Sequence, residues 1–367
     1  MFNLFSNEKI NKGRQIELDI AKALSIIFMI FTHTAITISY LGDFLSPTYN
    51  IIVNSILGCP CAAPVFMFCM GVGIVYSRHS QWNIMIKRGV KLLIIGIILN
   101  IFIYMIPYFV FGYATGDYNV VPIYGGLILF FVDILAFAGL SFIFMGIFKK
   151  FELSNKYLLL IAVILSLIGS FLRNITFGVP ALNFLFGYFI GTKIEFTSFP
   201  FFNWFIIPVV GYIWGQYFIR VKDKSKFFRF WPILLIVSLF YFIYSIKIPG
   251  GFLSSEISYY YMTTFDVIFC LIYIHGNIGL CYYLSKFLPD KIKSVLTVLS
   301  SNITAIYVIQ WILTPLTLIF IVLLFDYSLF NDLALPFISI FILIISTLCA
   351  VYYKKLKNNK LKLTSKN

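Results

Sequence analysis

The sequence predicts an all-α, polytopic integral membrane helical bundle of about ten transmembrane helices, with one re-entrant or interfacial segment on the outer side. Three observations carry this. Of the 367 residues, 60% are hydrophobic and 11% charged, where a soluble domain is about a quarter charged. Apolar runs of about 20 residues, long enough to cross a bilayer, follow one another along the chain. The Lys and Arg residues collect in alternate loops, as cytoplasmic loops do. Spans and short loops use up the length, so 1–367 reads as a single membrane domain, with 1–16 and the basic tail 354–367 cytoplasmic. The net charge of +14 fits anchoring at the inner surface, and no nucleic-acid partner is expected.

Taken in order, span one covers about 17–40, with Lys9, Lys12 and Arg14 holding the N-terminus inside. No cleavage site precedes it, so no leader is expected to be removed. Span two, about 51–77, returns to a loop with Arg78, Lys87, Arg88 and Lys91. Span three, about 90–111, exits to a loop (112–121) without Lys or Arg, and span four, about 122–147, returns to Lys149, Lys150 and Lys156. Span five, about 157–173, leaves again. The stretch 174–199 is short and interrupted by Gly178, Pro180, Gly187 and Gly191. Were it to cross, the next span (about 200–219) would carry Arg220, Lys222, Lys224, Lys226 and Arg229 outside, against the positive-inside rule. Kept on the outer side, it lets every later span obey: 230–247, 261–285, 303–325 and 333–353. Both termini are then cytoplasmic. The six cysteines show neither a redox nor a zinc spacing and read as small apolar fillers, and no metal is expected.

Polar groups inside these spans carry the functional signal. In Arg14–Tyr40, Asp19, Lys22 and His33 lie on one stripe: at 100° per residue Lys22 and His33 fall within about 20° and Asp19 within about 60° of both. His33 sits about 24 Å along its helix, in the middle-to-outer bilayer. A buried neutral imidazole bonded to a carbonyl is one reading; a general base or nucleophile, titrating near working pH, is the other. Asp133 lies near the middle of span four and needs a partner, a proton or a water-filled cavity. Asp266 and His275, about 180° apart on their helix, cannot touch as an acid–base pair. Asn100 and Gln310 suit helix–helix hydrogen bonds. Arg78, His79, Lys87, Arg88 and Lys91 fit either inner-surface anchoring or phosphate binding.

Four stretches resemble a family. LDIAKALSIIFMIFTH is similar to the first-helix signature of the transmembrane acyltransferases, the acyltransferase-3 family and the heparan-α-glucosaminide N-acetyltransferase-like proteins. Its elements are Asp19, Lys22 and His33; the family usually has Arg at the position of Lys22. APVFMFCMGVGIVYSRH with IKRGVKLLIIG, FPFFNWFIIPVVGYIWGQY and LSSNITAIYVIQWIL resemble further helices of the family, in order along the chain. The resemblance implies acyl transfer, commonly of acetyl from cytoplasmic acetyl-CoA, to a sugar or cell-envelope glycan outside. It implies that His33 is the catalytic base or acyl carrier, that Lys22 and Asp19 position or polarise the donor, and that Arg78, Arg88 and Lys87 meet the CoA phosphates. Some relatives keep the catalytic His in the first outer loop; here Leu41–Asn50 contains none.

Expected partners are therefore acyl-CoA, an extracytoplasmic glycan or sugar and membrane lipid, with a homo-oligomer compatible, in the cell membrane. The alternative is a proton-coupled transporter or flippase for a polar or lipid-linked solute, using Asp133, Asp266 and His275 as a relay. A third is a non-catalytic scaffold in a glycan-synthesis complex. Stabilisation by CoA thioesters separates the first from the second.

Overall fold

The computed structural model describes residues 4–39, 41–58, 60–116, 129–192 and 197–364. The loop expected at 117–121, the start of span four at 122–128, residues 193–196 and the last three residues lie outside these. Among the described residues the ordered structure is helical, apart from three isolated β-bridges. Eight helices are long and apolar enough to cross a membrane: Ile16–Ser39, Pro47–Tyr76, Trp82–Val110, Asn155–Leu172, Lys224–Lys247, Thr264–Ser285, Asp290–Leu329 and Ala334–Asn359. This is a multi-pass membrane protein.

Two of the ten expected spans are shorter than this. The helix at the fourth begins only at Ile134 and ends at Lys150. Ahead of it Asn100 Nδ2 donates to the Leu129 and Phe131 carbonyls, at 2.8 and 3.0 Å, and Val132 bridges to Thr197. Asp133 is thus the extended N-cap residue of that helix, half-buried, and not a mid-helix carboxylate. The other, at 200–219, consists of Phe201–Trp204 and the 13-residue helix Ile206–Phe218. The described part of 174–199 holds one helix, Pro180–Gly187, which at 1.5 Å per residue reaches about 12 Å and is too short to cross.

The chain gathers into two compact units. The first takes in the described residues of Met1–Gln15, Ala63–Ile101 and Val121–Tyr283. Its helices meet backbone to backbone where glycines remove the Cβ. A Cβ on Gly71 would strike the Pro208 carbonyl and one on Gly211 the Phe68 carbonyl, which locks Ala63–Tyr76 against Ile206–Phe218. The N-terminal segment is tied to the loop after that helix. Ser6 N donates to Arg220 O at 2.8 Å, Lys222 N to Leu4 O at 2.9 Å, and Lys224 Nζ to Gln15 Oε1 at 2.6 Å. Lys149 Nζ donates to Ser80 O at 2.6 Å, joining the 77–81 loop to the end of Ile134–Lys150.

The second unit holds Ile16–Ala62, Phe102–Val120 and Leu284–Asn367, as far as they are described. Its axis is the first helix, Ile16–Ser39, packed on the long helix Asp290–Phe325. The two run parallel, since Asp19 meets Ser300 and His33 meets Gln310. Beside the first helix, Pro47–Asn50 continues as a π-helix, Ile51–Gly58. Carbonyls released by this irregular turn and by the break after it are met by hydroxyls of the first helix: Thr32 Oγ1 to Val53 O at 3.2 Å and Ser25 Oγ to Cys61 O at 3.1 Å. In an apolar surrounding such groups must be satisfied internally. Ala35, Ile38, Leu45, Val53, Leu318, Ile321, Phe330 and Leu335 form an apolar core at one end of this unit.

Candidate active site

The site is built where the first and long helices face each other. Asp19, 2% exposed, accepts Ser300 Oγ at 2.6 Å and pairs with Lys22 Nζ at 3.2 Å. A buried carboxylate needs such compensation. Lys22 is part-exposed and contacts one carboxylate oxygen as a point charge, a task that does not require the planar fork of Arg. Helical geometry puts His33 three turns, about 16 Å, beyond Lys22 on the same stripe. Asp19 and Lys22 therefore do not reach the atoms that His33 reaches.

Around His33 the contacts come from one stripe of the long helix. Gln310 Nε2 stands 2.9 Å from His33 Nδ1. Trp311 stacks on the imidazole, with centroids 4.0 Å apart and planes at 26°, and Tyr307 meets it edge-on at 6.0 Å. Gln310 is fully buried and in turn meets Thr314, whose Oγ1 donates to the Gln310 carbonyl at 2.8 Å and lies 3.4 Å from its Oε1. Pro315, inside the helix, has no N–H for the carbonyl of Trp311, so the helix ladder is interrupted beside the site. His33 itself is half-buried, and its Nε2 has no hydrogen-bond partner among the described residues.

The remaining residues singled out in the sequence fall elsewhere. Gln310 joins His33 as described, but Arg78, Lys87, Arg88, Asp133, Asp266 and His275 belong to the first unit. Arg78 lies in the 77–81 loop; Lys87 and Arg88 lie on Trp82–Asn100, and all three are exposed. None forms an ion pair with a described residue, and the Arg88 guanidinium sits 4.3 Å over the Phe142 ring. Asp266 closes the start of its helix. Thr263 N and Oγ1 donate to its carboxylate at 2.6 and 2.7 Å, Asp266 N donates back to Thr263 Oγ1 at 3.2 Å, and Tyr241 OH also donates to it. This reciprocal pairing is a capping box, which explains a buried carboxylate without a relay. His275 Nδ1 accepts from Trp214 Nε1 at 3.1 Å and is walled by Phe227 and Phe228.

Sequence reading missed Ser300, Trp311 and Thr314. A signal was present: Ser300, Tyr307, Gln310, Trp311 and Thr314 recur at spacings of seven, three, one and three, the period of one helix face.

By its helices alone the chain is a multi-pass membrane protein, and in the second unit His33 has a buried polar partner, Gln310, on a facing helix. Compared with known proteins, residues 15–354 match the family model for the acyltransferase domain of the acyltransferase-3 type, and the chain belongs to that family. Neither the curated proteins nor the solved structures give a match.

Proposed function

We propose that this protein moves an acyl group, acetyl in the simplest case, from a cytoplasmic CoA thioester to a sugar hydroxyl or amine of an extracytoplasmic cell-envelope glycan, with His33 as the base. The observation that carries this is the hydrogen bond between His33 Nδ1 and buried Gln310, which leaves Nε2 as the working nitrogen in a member of an acyltransferase family. Thr314 has one hydroxyl proton and gives it to the Gln310 carbonyl. With the Gln310 amide turned over, a change that keeps its shape, its NH2 donates to Thr314 Oγ1 and its Oε1 accepts Nδ1–H. Every group is then satisfied and Nε2 is unprotonated. In the step, Nε2 takes the acceptor's proton while the acceptor atom attacks the thioester carbon. The C–S bond then breaks, and the leaving thiolate receives that proton from Nε2–H.

Lys22 and Asp19, about three and four turns away, serve a distant part of an elongated donor rather than the reacting carbon. Arg78, Lys87 and Arg88, exposed and without ion pairs among the described residues, suit phosphates, which Arg and Lys recognise by charge and paired donors. The ten-span reading with 174–199 on the outer side and both termini in the cytoplasm is supported by the ties of residues 4–6 to 220–222. They put the N-terminus and the end of Ile206–Phe218 on one side, which requires an even number of crossings between them. The transporter reading loses support where Asp266 caps a helix and Asp133 starts one. Mass spectrometry of cell-envelope glycans from cells with the wild-type chain, with His33→Ala and without the gene is the test. An acetyl-sized shift present only with wild type is expected; the same shift with His33→Ala removes the proposal.

A further inference from the structure

The indole of Trp311 presents a chemical group that its surroundings do not use. Its Nε1 is buried and has no hydrogen-bond partner among the described residues. Two other tryptophans of this chain behave differently: Trp204 Nε1 donates to the Tyr260 carbonyl at 2.7 Å and Trp214 Nε1 to His275 at 3.1 Å. An indole N–H is a donor only, and one left unmet in an apolar interior is costly enough to require a reason. Packing does not supply it, because a phenyl ring would stack on His33 as well.

The position supplies one. The Trp311 ring lies nearly parallel to the His33 imidazole at 4.0 Å, and an N–H lies in the plane of its ring. It is therefore directed past the imidazole and not into it. An acceptor oxygen bound to Nε2 lies in the imidazole plane. The carbonyl that it attacks is displaced from that plane, and displacement toward the indole layer brings it to the ring that carries the N–H. We infer that Trp311 is a catalytic residue: its Nε1–H donates to the carbonyl oxygen of the acyl group being transferred. As the acceptor adds, the C=O π pair moves onto that oxygen, and the bond from Nε1–H strengthens with the charge. When the pair returns, the C–S bond breaks and the thiolate takes its proton from His33 Nε2–H. The indole keeps its own proton throughout. A donor of this kind, fixed in place before reaction, contributes to the rate and little to ground-state binding. The inference rests on the acyl-transfer reading above.

The test uses the full chain in lipid nanodiscs, with acetyl-CoA as donor probe and the cell-envelope glycan fraction as acceptor, and reads CoA thiol release. Trp311→Phe keeps a stacked ring and removes the N–H. It is expected to lower kcat about 10²- to 10³-fold, with KM for acetyl-CoA nearly unchanged. The benzothiophene isostere of tryptophan at 311 has sulfur for N–H at the same volume, and it is expected to show the same loss, which covers a folding defect in the phenylalanine variant. In the infrared, the carbonyl band of a bound ketone analogue of acetyl-CoA should lie at lower frequency in wild type than in either variant. Wild-type kcat and an unmoved band in both variants, with His33→Ala inactive, would overturn this inference and leave the acyl-transfer reading standing. Full activity in His33→Ala would remove both.

Discussion

Gln310 shows how one residue holds a histidine ring from a facing helix. Its side chain is fully buried and bound at one end to His33 and at the other to Thr314. Gln310→Ala frees the ring to rotate and removes the acceptor for Nδ1–H. A loss of at least about 10-fold in kcat is expected, within the 10²- to 10⁴-fold that general-base catalysis supplies. Gln310→Glu keeps an acceptor and should recover most of it, whereas a purely structural role predicts equal losses. Ser300 acts differently. It donates to the buried Asp19, and Ser300→Ala leaves that carboxylate with one partner fewer. About 1–3 kcal/mol of stability should be lost, read as a lower unfolding midpoint in detergent, with the chemical step hardly changed. The histidine, Asp19, Lys22 and Gln310 were legible because ionisable or amide groups stand out in apolar helices. Trp311 and Ser300 were not, because a tryptophan or serine in such a helix looks like packing until its neighbour is known.

At the scale of the element, the long helices followed from the apolar runs, while the interruptions did not. Ile51–Gly58 is as apolar as its neighbours, so nothing in its composition marks a π-helix; only Pro60 hinted at the break that follows. Its fit on the first helix is close. A Cβ on Gly58 would collide with the Thr32 side chain, next in sequence to His33. Gly58→Val should therefore cost about 1–3 kcal/mol as overpacking does, and also lower activity by displacing His33. Thr263→Ala is the contrast. It removes the capping box of Thr264–Ser285, at about 1 kcal/mol, and should leave kcat unchanged. The Thr-x-x-Asp spacing of that box was readable at Thr263–Asp266. Asp133 looks like a mid-span carboxylate because apolar residues flank helix starts and helix centres alike inside a membrane protein.

For the whole molecule, the ties between loops agree with the proposed sides. The N-terminal segment is tied to 220–222 and the 77–81 loop to Lys149, and all four stretches carry basic residues. The Ser46 amide donates to Asp332 at 3.0 Å, joining two loops that have no Lys or Arg. Basic loops thus meet basic loops, as cytoplasmic ends do. In intact cells, with native cysteines replaced, an impermeant thiol reagent should label Asn331→Cys, and label Ser80→Cys only after lysis. Labelling of both from outside contradicts the proposed sides. The number of crossings was the least legible feature, since 134–150 and 206–218 are short helices in long apolar stretches.

The central claim, that His33 Nε2 carries the proton of acyl transfer, meets its most direct test in purified full chain supplied with labelled acetyl-CoA and the envelope glycan fraction. For His33→Ala, the account predicts undiminished thermal stabilisation by CoA and no labelled glycan. Labelled glycan formed at the wild-type rate by that variant would contradict it.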